Sequence, residues 1–235
     1  QAKDLAEKID FKKGQAYALK NIGLAYNTQG KYVEALQQWQ ESLKLFELID
    51  NQVGIANMLN NIGVIYANRG DDARAIEYYL KSLKPAEELK DTLRIATAYL
   101  NIGAVYFNKT ATRDLALEYF LKALPLSIAT ADKDAIGTTT VNIGEIYFDK
   151  GDDSTALVYF EKSRKAYEGS ENLPYTLNDI GKVYEKKRNF MEAIRYHEMA
   201  YEMAKKLDAK NDMAISLLGI AKTYIAKGEA KPALE

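Results

Sequence analysis

The hydrophobic positions of this chain recur at a nearly constant interval. Each interval centres on one hexapeptide, Asn-Ile-Gly-Val-Ile-Tyr, which occupies Asn61–Tyr66. Close copies begin at Asn21, Asn101 and Asn142, and weaker copies cover residues 179–184 and 219–224. The steps between the glycine positions of these copies are 37 to 41 residues long. Self-similarity at such a step predicts stacked supersecondary units instead of one globular core.

A second marker follows each hexapeptide and predicts a second helix. An alanine comes twelve residues after the glycine, or thirteen in the third copy, at Ala35, Ala75, Ala116, Ala156, Ala193 and Ala233. Four residues later comes an aromatic residue, at Trp39, Tyr79, Phe120 and Phe160, with His197 in the fifth copy. Residues three or four apart lie on one face of a helix. Each unit is therefore predicted to be two helices, A and B, that meet through small residues and aromatic rings.

This double marker resembles the tetratricopeptide repeat. The family pattern Leu-Gly-x2-Tyr followed by Ala-x3-Phe is matched here by Ile-Gly-x2-Tyr and Ala-x3-aromatic. The units are longer than the usual repeat of about 34 residues, and they are similar to those of kinesin light chains, Leu-Gly-Asn polarity adaptors and bacterial sensor and regulator proteins. The resemblance implies an all-α, right-handed superhelical solenoid of antiparallel helix pairs, with helix A lining a concave surface.

The repeat spacing predicts one continuous array over residues 1–235. Residues 1–9 read as the end of a preceding repeat, because they match the residues that come before the next hexapeptide. Five full repeats and a truncated sixth follow, over residues 13–50, 51–90, 91–131, 132–169, 170–208 and 209–235.

Punctuating residues predict where the helices begin and end. Gly30 suits the left-handed conformation that ends a helix A. Asp71 or Asp72 suits the N-cap of the helix that follows. Pro85 and Pro125 lie inside predicted B helices, where proline removes a backbone hydrogen bond and clashes with the preceding turn. We therefore expect a kink or an early end at both prolines.

Composition excludes several classes of function. A formal net charge of -1 argues against nucleic acid as the main partner, which would need a basic surface. No apolar run approaches the length of about 18 residues typical of a membrane span. The absence of cysteine excludes disulfides, thiol catalysis and zinc-thiolate sites. It weakly favours an extracytoplasmic location, and the bacterial cytoplasm and periplasm both stay open.

No constellation of residues predicts catalysis, so the chain is not expected to be an enzyme or to bind a cofactor or metal. The one histidine, His197, occupies an aromatic slot and is interpreted as a packing residue of helix B. The segment that begins at Asp132 starts like a calcium loop. Ile136 and Ile143 stand where the loop needs oxygen ligands, so Asp132 is interpreted as a cap.

The residues opposite the packing face form the candidate binding site. The asparagine of each hexapeptide points away from the glycine and tyrosine, by the geometry of the 3.6-residue turn. Residues four before, three after and seven after it share its face. From this stripe we predict a peptide-binding surface that comprises Asn21, Asn57, Asn61, Val64, Asn68, Asn101, Asn108, Asn142, Glu145, Lys182 and Lys186.

Two interpretations of the asparagines stay open. Their amides can bond the backbone of an extended peptide, since each offers a donor and an acceptor. Alternatively, each amide bonds a neighbouring helix and sets the stacking angle. The stripe is uncharged in the first three repeats, acidic in the fourth and basic in the last two. Leu100, Phe107 and Phe148 lie beside it, either as apolar pockets or as core residues.

The resemblance implies a non-enzymatic scaffold that binds a peptide or protein segment in its groove. We expect it to be the sensory or regulatory part of a larger bacterial signalling protein, or alternatively a free-standing adaptor that links two proteins. The last helix A carries apolar residues with only residues 228–235 available to cover them. We therefore also expect self-association through the truncated sixth repeat, in the residues after about Asp212, where Ile215, Leu218, Ile220 and Ile225 lie.

Overall fold

The chain is all-α, as predicted. The computed structural model describes residues 11–229 together with Ala6 and Ile9, and these residues form helices and no strand. Eleven α-helices and a short 3₁₀ turn at Thr110–Thr112 make up the described part. The helices are α1 Lys12–Thr28, α2 Tyr32–Leu48, α3 Gln52–Asn68, α4 Asp72–Glu88, α5 Thr92–Phe107, α6 Arg113–Ala129, α7 Lys133–Asp149, α8 Asp153–Ala166, α9 Leu173–Lys186, α10 Phe190–Lys206 and α11 Lys210–Lys227.

The helices pack in consecutive pairs, and the chain divides into two compact units. The first unit, Gln1–Thr130, contains the pairs α1–α2, α3–α4 and α5–α6. The second unit, Ala131–Glu235, contains α7–α8 and α9–α10, with α11 packed against both α9 and α10. The predicted helix end over residues 1–9 and the predicted start of a helix at residues 228–235 lie largely outside the described residues.

Each pair is joined where a ring of helix B lies on the glycine of helix A. A Cβ atom added at Gly63 would lie 2.6 Å from the ring of Tyr79, and one added at Gly144 would lie 2.6 Å from the ring of Phe160. Such distances are far below van der Waals contact, so only glycine permits this approach. Trp39 on Gly23 and Phe120 on Gly103 repeat the arrangement. The rings are buried, and they form the centre of each pair.

The alanine marker also occupies the core, as predicted. The five described alanines of the marker have no solvent exposure: Ala35, Ala75, Ala116, Ala156 and Ala193 are all 0% exposed. Helices can approach closely where both carry small side chains. The hexapeptide and the alanine marker therefore act together, because the alanine brings helix B near and the ring then fills the space above the glycine.

The helix N-caps and the helix-ending glycine lie at the residues predicted from the sequence. The Asp71 side chain accepts a hydrogen bond from the backbone N–H of Arg74 at 3.2 Å. Asp132 caps α7 in the same way, through the backbone N–H of Ala135 at 3.0 Å. Side-chain caps of this kind satisfy one of the free N–H groups of a first helical turn. Gly30 ends its turn with φ 73°, the left-handed region that glycine adopts at low cost.

Neither proline ends its helix early, so the expected early end is wrong at both positions. The helix α4 continues through Pro85 to Glu88, and α6 continues through Pro125 to Ala129. Each proline lies near the C-terminal end of its helix, where it removes a single backbone hydrogen bond. Pro85 is itself buried, next to the fully buried Ala86, so the ring packs into the core.

The buried alanine marker predicts a site-specific intolerance of larger side chains. Ala75→Leu should lower the free energy of unfolding by about 1–3 kcal/mol, because added methylenes overpack a filled core. Ala73→Leu is the matched control, since Ala73 is exposed on the same helix and the change is identical. Chemical denaturation measures both variants. Equal stability of the two variants would contradict the packing of helix B.

Candidate functional site

Two asparagines of the predicted stripe connect neighbouring A helices in the first unit. The Asn101 amide nitrogen on α5 donates to the Asn60 side-chain oxygen on α3 at 2.9 Å. The Asn57 side-chain oxygen on α3 accepts from Nε of Arg94 on α5 at 2.9 Å. These bonds join successive repeats, as in the stacking interpretation. Asn57 also lines a small cavity of about 150 Å³.

The other asparagines of the stripe are placed differently. Asn21, Asn68 and Asn108 are exposed, whereas Asn61 and Asn142 are half-buried like Val64. Within the described residues, the side chains of Asn61 and Asn142 make no hydrogen bond to another residue. Their amides are therefore available to a ligand, and a ligand-binding role for them stays a prediction.

A cavity of about 620 Å³ opens on the A helices of the second unit. We call it the α9–α11 cavity, because these two helices supply most of its walls. It includes the two predicted site residues Lys182 and Lys186, together with stripe positions of the sixth repeat. The lining residues are Phe148, Asn178, Lys182, Glu185, Lys186, Arg188, Phe190, His197, Ile215, Leu218, Gly219, Lys222 and Ala226. Apolar walls with a few polar groups are typical of ligand sites.

The cavity lining is rich in positive charge. The Lys182 ammonium pairs with Asp179 Oδ1 at 2.7 Å, and the Lys186 ammonium pairs with Asp153 Oδ1 at 2.7 Å. Lys186 also lies over the Phe148 ring, 4.7 Å from its centroid. Phe148 is thus part of the cavity wall. Arg188 and Lys222 form no ion pair with any other described residue, so their charges face solvent.

Arg188 occupies a backbone position that other repeats give to glycine. Gly30, Gly70 and Gly151 stand seven residues after their hexapeptide glycines and have φ values of 73°, 73° and 81°. Arg188 has the same place in the fifth repeat, with φ 60°. The left-handed conformation costs a residue with a Cβ about 1–2 kcal/mol. Asp50, Lys90, Ala131 and Asp208 adopt the same conformation at the turns that follow B helices, with φ values of 50°, 53°, 53° and 52°. The predicted stripe contains only helical positions and therefore missed this turn residue. Aligning the repeats on their hexapeptide glycines shows the replacement of glycine by Arg188.

His197 lies against two helices at once. A Cβ atom added at Gly181 on α9 or at Gly219 on α11 would lie 2.6 Å from the imidazole ring. The residue is 1% exposed, and burial lowers the pKa of His197 to about 4. The histidine is therefore neutral at physiological pH, and it fills the space that a ring occupies in the other repeats, in agreement with the predicted packing role.

A chain of hydrogen bonds fixes the tautomer of His197. The Ser216 hydroxyl donates to the Asp212 carbonyl at 2.8 Å, so it accepts from the Asn178 amide nitrogen at 3.0 Å. The Asn178 oxygen therefore faces His197 Nδ1, 2.8 Å away, and Nδ1 carries the proton. Nε2 is an acceptor without a partner among the described residues.

Asp179 is the buried carboxyl group beside the cavity. It occupies the asparagine position of the fifth repeat and is 3% exposed. Burial raises the pKa of Asp179 to about 7, although the Lys182 ammonium opposes the rise. The neighbouring Glu145 carboxylate adds to it, and Glu145 in turn accepts a hydrogen bond from the Tyr175 hydroxyl. Within the described residues, Asp179 Oδ2 has no hydrogen-bond partner.

The apolar residues of α11 are largely uncovered. Ile215, Leu218 and Ile225 are exposed, and Ile220 is half-buried. Two of these four, Ile215 and Leu218, belong to the α9–α11 cavity. Self-association through this helix stays a prediction.

The described residues contain no cluster of three or more histidine or acidic side chains that could hold a metal ion. None of the helices in this part of the chain combines the length and the hydropathy that a membrane span needs.

Paired helices at a constant step, with a cavity on their A helices, define a helical repeat protein that presents an interaction surface. The family profile described as Tetratricopeptide repeat matches residues 14–88 and 94–169. The chain therefore belongs to the tetratricopeptide repeat family. Repeats of this family form a protein-interaction or regulatory scaffold. No match was found among curated protein sequences.

Solved structures share the fold at low sequence identity. BtubC (BKLC) from P. vanneervenii is 18% identical with a TM-score of 0.74, over 85% of each chain. A Signal Transduction ATPase with Numerous Domains from Pyrococcus horikoshii, which has a tetratricopeptide repeat sensor, is 17% identical with a TM-score of 0.80, over 99% of this chain and 36% of that one. The Rap conjugation gene regulator of the plasmid pLS20, in complex with the Phr* peptide, is 20% identical with a TM-score of 0.67. The match covers 97% of this chain and 63% of that one.

The contrast between two equivalent asparagines yields a prediction about stability. Asn101→Ala leaves the Asn60 side chain without its partner and should lower the free energy of unfolding by about 1 kcal/mol. Asn142→Ala removes no bond to a described residue and should raise it by a few tenths of a kcal/mol, because alanine is the better helix former. Thermal denaturation of both variants is the measurement. A large loss of stability in Asn142→Ala would assign that asparagine to helix stacking.

Buried His197 predicts an acid-sensitive stability. The unfolded chain takes up a proton near pH 6.5, whereas the folded chain keeps the imidazole neutral down to about pH 4. As the pH falls through this window, the wild type should therefore lose up to about 3 kcal/mol of stability relative to His197→Phe. Urea denaturation at several pH values measures the difference. Other titrating groups are common to both proteins and cancel, so a constant difference would contradict the buried neutral histidine.

Proposed function

We propose that this chain is a non-enzymatic scaffold that binds a segment of a partner protein in the α9–α11 cavity. The observation that carries the proposal is the cavity itself, because it combines apolar walls with several polar groups on the A helices. Its volume of about 620 Å³ lies within the range of ligand sites. Ile215, Leu218 and Phe190 would receive apolar side chains, and the surrounding polar groups would orient the backbone.

The predicted stripe extends this proposal to the rest of the array. Asn61 and Asn142 make no side-chain bond to another described residue, so their amides would bond the backbone of a longer segment. Asn57 and Asn101 already bond neighbouring helices, and their contribution would be to hold the repeats in register. Both interpretations would then apply, each to different asparagines.

For the biological setting, we propose the sensory or regulatory part of a larger bacterial signalling protein. The similar protein from Pyrococcus horikoshii is named as a signal transduction ATPase whose repeats form the sensor, and the pLS20 regulator was solved with a bound peptide. A free-standing adaptor that links two proteins is the alternative. The complete reading frame discriminates between them, since a fused output domain would favour the first setting.

Selection from a random peptide library displayed on phage tests the binding function. Peptides enriched on the wild type should bind Leu218→Ser roughly 5- to 30-fold more weakly, because a buried leucine contributes about 1–2 kcal/mol of binding free energy. Leu217→Ser is the matched control, since Leu217 is the adjacent residue, is similarly exposed (49% against 54%) and does not line the cavity. Fluorescence polarisation with labelled peptides gives the affinities.

Two results would contradict this function. The first is a selection in which no peptide is enriched by the wild type. The second is a set of peptides whose affinity falls equally in the two leucine variants, which would place binding outside the cavity.

A further inference from the structure

We propose that the segment bound in the α9–α11 cavity is acidic, and that it competes with Asp179 for the ammonium group of Lys182. Binding then takes up a proton at Asp179, so that affinity rises as the pH falls. This inference rests on the proposed function, since it specifies the ligand class and the regulation of the same site.

Charge complementarity favours an acidic segment. Four cations line the cavity, at Lys182, Lys186, Arg188 and Lys222, against one carboxylate, Glu185. Arg188 and Lys222 form no ion pair with another described residue. Like-charged residues around a cleft of low dielectric attract ligands of the opposite sign.

Lys182 is shared between the cavity and the buried carboxyl group. Its side chain is half exposed and lines the cavity, yet its ammonium lies 2.7 Å from Asp179 Oδ1. A ligand carboxylate that reaches this ammonium must therefore compete with Asp179. The long lysine side chain can turn towards the cavity, whereas Asp179 is buried in the unit and cannot follow.

The groups around Asp179 make it the proton acceptor of this exchange. Glu145 on α7 brings a second carboxylate close to Asp179. Lys182 on α9 forms the ion pair with Asp179. Tyr175, also on α9, donates its hydroxyl hydrogen bond to Glu145. The cavity residues from α10 and α11 that ionise are His197 and Lys222, of which His197 is neutral above about pH 4. Without Lys182, Asp179 would be an unpaired buried charge beside Glu145. Such a group becomes protonated instead of staying ionised.

Ligand binding and the protonation of Asp179 are linked equilibria, and this linkage sets the sign of the pH dependence of the affinity. Burial, together with the neighbouring Glu145 carboxylate, raises the pKa of Asp179 to about 7, and this pKa must rise further when the ligand draws Lys182 away. Affinity should then be constant below about pH 7 and fall above it, by at most about tenfold for each pH unit. The carboxylates of the ligand titrate near pH 4, well below this range, so they do not produce the same effect.

The test uses the tightest peptide that the whole chain selects from the display library at about pH 6, synthesised with blocked termini. We expect this peptide to be acidic, and its affinity to fall at least fivefold between about pH 6 and pH 9. Isothermal titration calorimetry near pH 8, in buffers of different ionisation enthalpy, should show proton uptake on binding. Nuclear magnetic resonance titration of the Asp179 carboxyl carbon in the free protein measures its pKa without any ligand.

Two variants separate the proton switch from the charge of the cavity. Asp179→Asn frees Lys182 at every pH, so its affinity should not change with pH and should equal or exceed the low-pH affinity of the wild type. Arg188→Gly removes a cation but relieves the left-handed backbone. This variant should be more stable than the wild type in thermal denaturation and yet bind the acidic peptide several-fold more weakly.

The outcomes distinguish this inference from the function on which it depends. Selected peptides that are neutral or basic, or an acidic peptide whose affinity does not change with pH, would overturn the inference and leave peptide binding in place. An Asp179 pKa near 4 in the free protein would also overturn it. If no peptide binds at all, both the proposed function and the inference are wrong.

Discussion

The contact between a helix-B ring and a helix-A glycine is the interaction on which each helix pair depends. Tyr79 occupies the space where a Cβ of Gly63 would stand, and the other pairs repeat the contact with a different ring. Burial of an aromatic side chain contributes strongly to a core, and the glycine makes that burial possible. Because both partners of the contact are in the same repeat, each pair can form from local sequence, and stacking then adds neighbour to neighbour.

This locality explains why so much of the fold was predictable from sequence. The helix boundaries follow from glycines and caps that act within a few residues, as at Gly30 and Asp71. The buried alanines follow from helical periodicity alone. Pro85 was misleading, because the rule against proline in helices describes a helix interior, and the cost is smaller near a C-terminal end that is packed into a core.

The α9–α11 cavity was only partly predictable, because it depends on contacts between repeats. Lys182 lies on the helical stripe and was identified from periodicity. Arg188 and Phe190 enter the cavity from a turn and a helix start, which no helical stripe includes. The hydrogen bond from Asn178 to Ser216 crosses 38 positions of the sequence. The burial of Asp179 likewise depends on how neighbouring helices are placed, which a pattern within one repeat does not contain.

The position of His197 gives this protein a built-in reporter. It is the single histidine of the chain, and it lines the cavity while contacting both helices that form the walls. Isotope labelling of histidine alone would therefore give one imidazole signal, assigned without mutagenesis. Its nitrogen shifts distinguish the Nδ1–H tautomer from the other forms, so an occupant of the cavity would be detectable by spectroscopy at a single atom in the unmodified protein.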